Sequence, residues 1–160
     1  MRIVIGAVGR LKDDAERKLF ERYWQRLAAS GRGIGITDLR HVEITEGRES
    51  SSRQRQSSEA QRLLAIAGPQ AHVVALDEQG KALSSQAFAV YLRHRRDDGC
   101  RELAFLVGGP DGHGESVTKA AHAKLALSAM TLPHGLARVV LAEQLYRGVT
   151  ILSGHPYHRG

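Results

Sequence analysis

The sequence predicts a single α/β domain built on a mostly parallel sheet. Short apolar runs at residues 3–8, 34–44, 72–77 and 102–107 alternate with segments of helical periodicity, the rhythm of strand-helix-strand units. No internal repeat and no interdomain linker divides the 160 residues, so one domain, 1–160, is expected.

Residues 3–8 are rich in β-branched side chains and read as a strand. Asp13 with Glu16 three positions later makes a capping-box-like start to a helix. Leu19, Phe20, Tyr23, Trp24 and Leu27 share one face of that helix, which favours a core role for Tyr23 and Trp24 over base stacking. A second strand over 34–44 follows the Gly31-Arg32-Gly33 break. Residues 46–58 are mostly Ser, Arg, Glu and Gln with nothing apolar to bury, and read as a mobile loop or frayed helix start. Arg48, Arg53 and Arg55 could follow phosphates there, or be a solvated charged loop.

A helix over 58–67 stops at Gly68-Pro69, and the strand 72–77 ends at Leu76-Asp77-Glu78, where open α/β sheets place ligands. Ser84 or Ser85 caps the next helix, whose last turn carries Arg93, His94, Arg95 and Arg96 in the favourable sense of the helix dipole. Strand 102–107 runs into the glycine-rich stretch 108–114. A further apolar run, 127–132, reads as an extended segment that ends at Pro133, because proline disfavours helix in the residue before it.

A helix over 135–152 closes the pattern. Leu141, Leu145, Val149 and Leu152 fall on one face, with Leu136 and Val140 roughly opposite, so both sides call for burial, against another helix or another copy of the chain. Glu143 and Arg147 stand at i, i+4 and read as a solvated rung. The tail 155–159 is polar and aromatic.

The composition, 42% hydrophobic and 25% charged, is that of a soluble globular domain. The net charge of +6 favours a polyanionic partner. Cys100 is the only cysteine, which suits a reducing compartment, and no apolar stretch has the length of a signal core or membrane span. A cytoplasmic protein without membrane contact is expected. The stretch Gly109 to Ser116 has phosphate-loop spacing, but Glu115 stands where the lysine must be, so nucleoside triphosphate binding is rejected. His134, His155 and His158 have no cysteine near them, and the three-residue spacing of the last two sits in a Pro-containing tail, so no metal site is expected.

Leu76-Asp77, VGGPDG at 107–112, LSAMTLPH at 127–134, RVVLAEQLYR at 138–147 and HPYHR at 155–159, in that order, closely resemble the ribosomal RNA large subunit methyltransferase H family, of the SPOUT class. The resemblance spans the chain and is weakest at 46–58. It implies an α/β-knot fold with a C-terminal trefoil knot, which periodicity alone does not produce. It also implies a cytoplasmic homodimer that uses S-adenosylmethionine to methylate N3 of a pseudouridine in 23S ribosomal RNA on the assembled ribosome. By the same resemblance Leu76, Gly108, Leu127, Ser128, Ala129, Met130, Thr131 and Leu132 line the cofactor pocket, with Gly109 and Pro110 shaping the adjoining loop. The proton on N3 must leave, and the tail offers His155, Tyr157 and His158 as candidate bases, with Arg159 suited to a phosphate or to developing charge. The alternative is a basic ribosome- or RNA-binding factor of the same fold that transfers no methyl group.

Overall fold

The computed structural model describes residues 1–159. Five strands, β1 (Arg2–Val8), β2 (Asp38–Ile44), β3 (His72–Ala82), β4 (Glu102–Val107) and β5 (Ala123–Ala126), form one sheet in the order β2-β1-β4-β3-β5. Every pairing is parallel. The helices are α1 (Asp14–Gly31), α2 (Ser52–Ile66), α3 (Ser85–Asp97), α4 (Glu115–Ala120) and α5 (His134–Ser153).

Alternation along the central strands sorts the core into two layers. Ile3, Ile5, Leu103 and Phe105 face the layer holding Phe20, Leu27, Phe88, Leu92, Leu141 and Leu145, from α1, α3 and α5. Val4, Val8, Ala104 and Leu106 face Ala60, Leu63 and Val117, from α2 and α4. With helices on both faces the strands can be apolar throughout, which is why β1 and β4 read as unbroken hydrophobic runs.

Several boundaries differ from the expectation. Residues 32–34 form a 3-10 turn rather than strand, closed by Gly35 at φ +81, whose N–H donates to Arg32 O. Of the two readings of 46–58, the helix start holds for its second half. Helix α2 begins at Ser52, with the Ser51 side chain accepting from Gln54 N, and Arg55 and Gln56 are fastened to the loop after β4. The last extended segment is β5; residues 127–133 lie outside any strand. Helix α5 meets α1 on one side and α3 on another within the same chain, leaving Leu136 (42% exposed) as the uncovered large apolar side chain of this helix.

Strand β3 runs past its expected end. It pairs with β5 through Leu76↔Leu125, slips, and resumes at Lys81↔Leu125, so residues 77–80 are thrown out of the ladder. A Cβ on Gly80 would lie 2.7 Å from the backbone of Lys124 and Leu125, so only glycine admits this close passage. Among the described residues no helix is long and apolar enough to cross a membrane.

Candidate functional site

A parallel sheet puts all carboxyl ends of its strands on one edge, where loops can converge on a ligand. At that edge the ends of β3, β4 and β5 and the start of α5 enclose a cavity of about 400 Å³. The slip in β3 contributes Leu76 and the out-turned Asp77, Glu78 and Gln79; the loop after β4 contributes residues 108–113. Arg138 ties the first turns of α5 to the same edge: it is 2% exposed and donates to Val8 O at 2.9 Å and Glu43 Oε1 at 3.0 Å.

Of the residues expected to hold the cofactor, Leu76, Gly108, Gly109, Pro110, Leu127, Ser128, Met130 and Leu132 line this cavity. Ala129 and Thr131 belong to the same loop but are not among the lining residues. The Ser128 hydroxyl accepts from Met130 N at 2.9 Å and pins that turn. Sequence reasoning did not single out His113, Asp111, Gln79, Leu125 or Ala137, which the fold adds to the wall.

The loop after β4 is a tight reversal. Gly112 N donates to Gly109 O at 2.9 Å, and Gly112 sits at φ +77. A Cβ on Gly108 would lie 3.1 Å from Gly112 C and 3.2 Å from His113 N, so backbone folds onto backbone. His113 donates from Nε2 to Leu106 O at 3.0 Å, and its Nδ1 is buried without a partner. Burial holds its pKa below the ordinary histidine value, against the opposing pull of the Leu106 carbonyl and Asp77. The ring is therefore neutral at pH 7, with its proton assigned to Nε2 by that bond.

The lining suits S-adenosylmethionine. Its volume lies in the range of small-molecule sites, about 300–1,000 Å³. Leu76, Leu127, Met130 and Leu132 supply an apolar floor for a base, and loop-end N–H and C=O groups can read its edge. The carboxylates of Asp77 and Glu78 suit a sulfonium and an ammonium. Among the described residues no group of three His, Cys, Asp or Glu side chains is arranged to hold a metal ion.

None of His155, Tyr157, His158 and Arg159 lines the cavity. The tail turns back along α5 instead. Tyr157 donates to Glu143 Oε1 at 2.9 Å, its ring lies 4.7 Å from that of Tyr146, and the Arg147 guanidinium sits over it at 4.8 Å. Arg147 also meets His158 Nδ1 at 3.2 Å, while His158 Nε2 faces Gln86 of α3. Glu143 and Arg147 are thus no solvated rung: their side chains are 16% and 26% exposed under the tail. Measured as helix rise, Glu143 and Arg147 stand about 14 and 20 Å beyond His134 at the cavity, so one chain does not bring tail and cavity together. Burial, followed by Tyr23 and Glu143, raises the Tyr157 pKa, so the phenol stays protonated and donates. Of the candidate bases it is the one this arrangement disfavours.

The family described as "Predicted SPOUT methyltransferase" matches residues 1–158. A protein of Brucella anthropi named "Ribosomal RNA large subunit methyltransferase H" is 46% identical over 159 residues, covering 99% of each chain. A relative of the same name from Rhizobium leguminosarum bv. trifolii is 48% identical, again over 99% of each. Among solved structures, the SpoU methyltransferase AviRb from Streptomyces viridochromogenes, in complex with AdoMet, is 13% identical; it covers 96% of this chain and 61% of its own at a TM-score of 0.43, a likeness that carries no argument. A match running through both cavity loops and the whole of α5, with relatives aligned end to end, leaves one assignment: the chain belongs to the SPOUT methyltransferase family.

Proposed function

We propose that this protein is an S-adenosylmethionine-dependent methyltransferase of large-subunit ribosomal RNA, acting in the cytoplasm on N3 of a pseudouridine in the assembled ribosome. The observation that carries the reading is the cavity, where apolar side chains, converging backbone groups and carboxylates meet at the carboxyl edge of the sheet. The names of the near-full-length relatives support the RNA substrate, and the net charge of +6 suits it.

When bound, S-adenosylmethionine supplies an electrophilic methyl on a sulfonium, already activated for transfer. The chain's part is to place it and the acceptor in line and to take up the N3 proton. Gly108 and Gly109 let the wall approach without side-chain bulk. Asp77 and Glu78 favour the cationic ligand. His155 or His158 takes the proton, Tyr157 donates a hydrogen bond, and Arg159 meets a phosphate.

A homodimer belongs to the same proposal. Tail and cavity stand apart along α5, so a partner's tail can reach a cavity that its own chain's tail does not. Met130 and Leu136, 78% and 42% exposed, supply apolar surface beside the cavity for such a contact. The trefoil knot is also part of this reading, supported by the contact-distance passage of residues 124–125 past Gly80.

Mass spectrometry of ribosomal RNA from a strain lacking the protein tests the reading. One missing methyl at N3 of a pseudouridine is expected, and an unchanged modification profile overturns it. Calorimetry with S-adenosylmethionine separates the enzyme from an RNA-binding factor of the same fold, which would give no saturable heat.

A further inference from the structure

The segment 46–58, whose arginines have two readings in the sequence, carries a specific device. Arg55, in the first turns of α2, grips Asp111 with two prongs: Nε donates to Oδ2 at 2.7 Å and Nη2 to Oδ1 at 3.2 Å. Its third nitrogen, Nη1, donates to Glu49 O at 2.9 Å and Ser50 O at 3.3 Å, so the guanidinium is held from behind by the turn that precedes the helix. The next residue, Gln56, donates to the backbone carbonyl of Asp111 at 2.5 Å. Asp111 is therefore held by both its side chain and its main chain. A Cβ on Gly114 would lie 2.6 Å from Gln56 O, so the far end of the loop also lies directly on the α2 backbone.

Arg55 does not line the cavity, whereas Asp111 and its neighbours Gly108, Gly109, Pro110 and Gly112 do. The loop has few other means of staying in place. Its glycines leave the backbone free, and apart from the Gly112-to-Gly109 bond, His113 and the Thr118 N–H that reaches Gly114 O, its polar anchors come from α2. Both side chains of the pair are about three-quarters covered, at 28% and 26% exposure, and the fork geometry fixes orientation as well as distance. The guanidinium also holds the Asp111 carboxyl below the usual aspartate range.

We propose that Arg55 is a positioning residue for cofactor binding: through its two-pronged hold on Asp111 it fixes the Gly108–Gly112 loop as a preformed wall of the S-adenosylmethionine site. The inference rests on the cofactor reading above. A loop released from α2 must be ordered again each time the ligand binds, and the competent fraction of the protein falls accordingly. The effect is on affinity, not on the chemical step.

The test uses calorimetric titration of S-adenosylmethionine into the full chain, with thermal unfolding of each variant. For Arg55→Ala the dissociation constant rises about tenfold, as for the loss of one charge-assisted hydrogen bond. In steady-state methylation of ribosomes KM for S-adenosylmethionine rises by a like factor while kcat stays within about twofold, since saturation restores the loop. Arg55→Lys, which keeps the charge but not the fork, falls between wild type and Arg55→Ala. In an Asp111→Ala background, which leaves the fork no acceptor, Arg55→Ala adds little further loss, because both act through one contact. Wild-type affinity in Arg55→Ala, additive losses in the double variant, or a fall in kcat at saturating cofactor would overturn the proposal. Should Arg55→Ala fail to fold, Arg55→Lys decides: wild-type affinity there overturns it. Absence of S-adenosylmethionine binding by the wild-type chain is a different result, and overturns the cofactor reading along with it.

Discussion

At Gly108 a Cβ would press on the backbone of Gly112 and His113, in a loop that lines the cavity. Gly108→Val is expected to abolish S-adenosylmethionine binding in calorimetry. The strain on the loop lowers stability by about 1–3 kcal/mol, the usual range for overpacking, so the protein still folds. Normal binding by this variant would mean that the ligand lies elsewhere. Protonation of the buried histidines bears on stability. Burial lowers the pKa of His113, His41 and His72 below the ordinary value of 6.5, so the unfolded chain takes up these protons first. Stability then rises with pH between the folded and unfolded values; it is complete above about 6.5 and lost as the pH falls through that window. Thermal unfolding should occur at lower temperature at pH 5.5 than at pH 7.5. His113→Gln, which can still reach Leu106 O, should flatten this dependence in part, with His41 and His72 keeping the rest. An equally steep slope in the variant would show that His113 is not one of its sources.

The tail and α5 act as one element. Tyr157 packs on Tyr146 under Arg147 and bonds to Glu143, so the tail contributes to packing, which its lack of aliphatic residues does not suggest. An aromatic pair of this kind adds about 0.5–1.5 kcal/mol beyond its buried area. Deleting residues 155–160 should therefore lower the unfolding temperature modestly and leave α5 in place. Its effect on methyl transfer should be far larger, because the candidate bases and Arg159 go with it. Single-turnover methylation of ribosomes at saturating cofactor, with light scattering on both proteins, separates the two effects. Equal rates would remove the tail from the reaction, and a shift to monomers on truncation would make its role structural. Helix α2 shows the reverse relation between composition and structure. Its first turns bury almost nothing apolar, yet Ser51 caps them and Arg55 and Gln56 anchor them to a loop distant in sequence.

For the molecule as a whole, the case for association is narrower than the apolar pattern of α5 suggests. Helices α1 and α3 of the same chain cover most of that helix, and the exposed apolar surface that remains nearby is Leu136 with Met130. Light scattering at micromolar concentration is expected to give twice the 17.5 kDa chain mass. A 17.5 kDa monomer that still methylates ribosomes would exclude the dimer from the mechanism.

Much of this architecture was legible beforehand. Strands β1 and β4, the cap at Asp13, the capping serine before α3 and the extent of α5 follow from apolar periodicity and local hydrogen bonding, which depend on neighbours in sequence. Eight of the ten residues assigned to the cofactor by resemblance share one cavity, because a motif at the end of a parallel strand stays at the carboxyl edge. The slip in β3 that turns Asp77 toward the cavity was not legible, nor were the neutral His113, the Arg55 hold on Asp111 and the return of Tyr157 to Glu143. Each joins groups far apart in the chain, and each depends on which backbone passes close to which, a relation that no local spacing of residue types encodes.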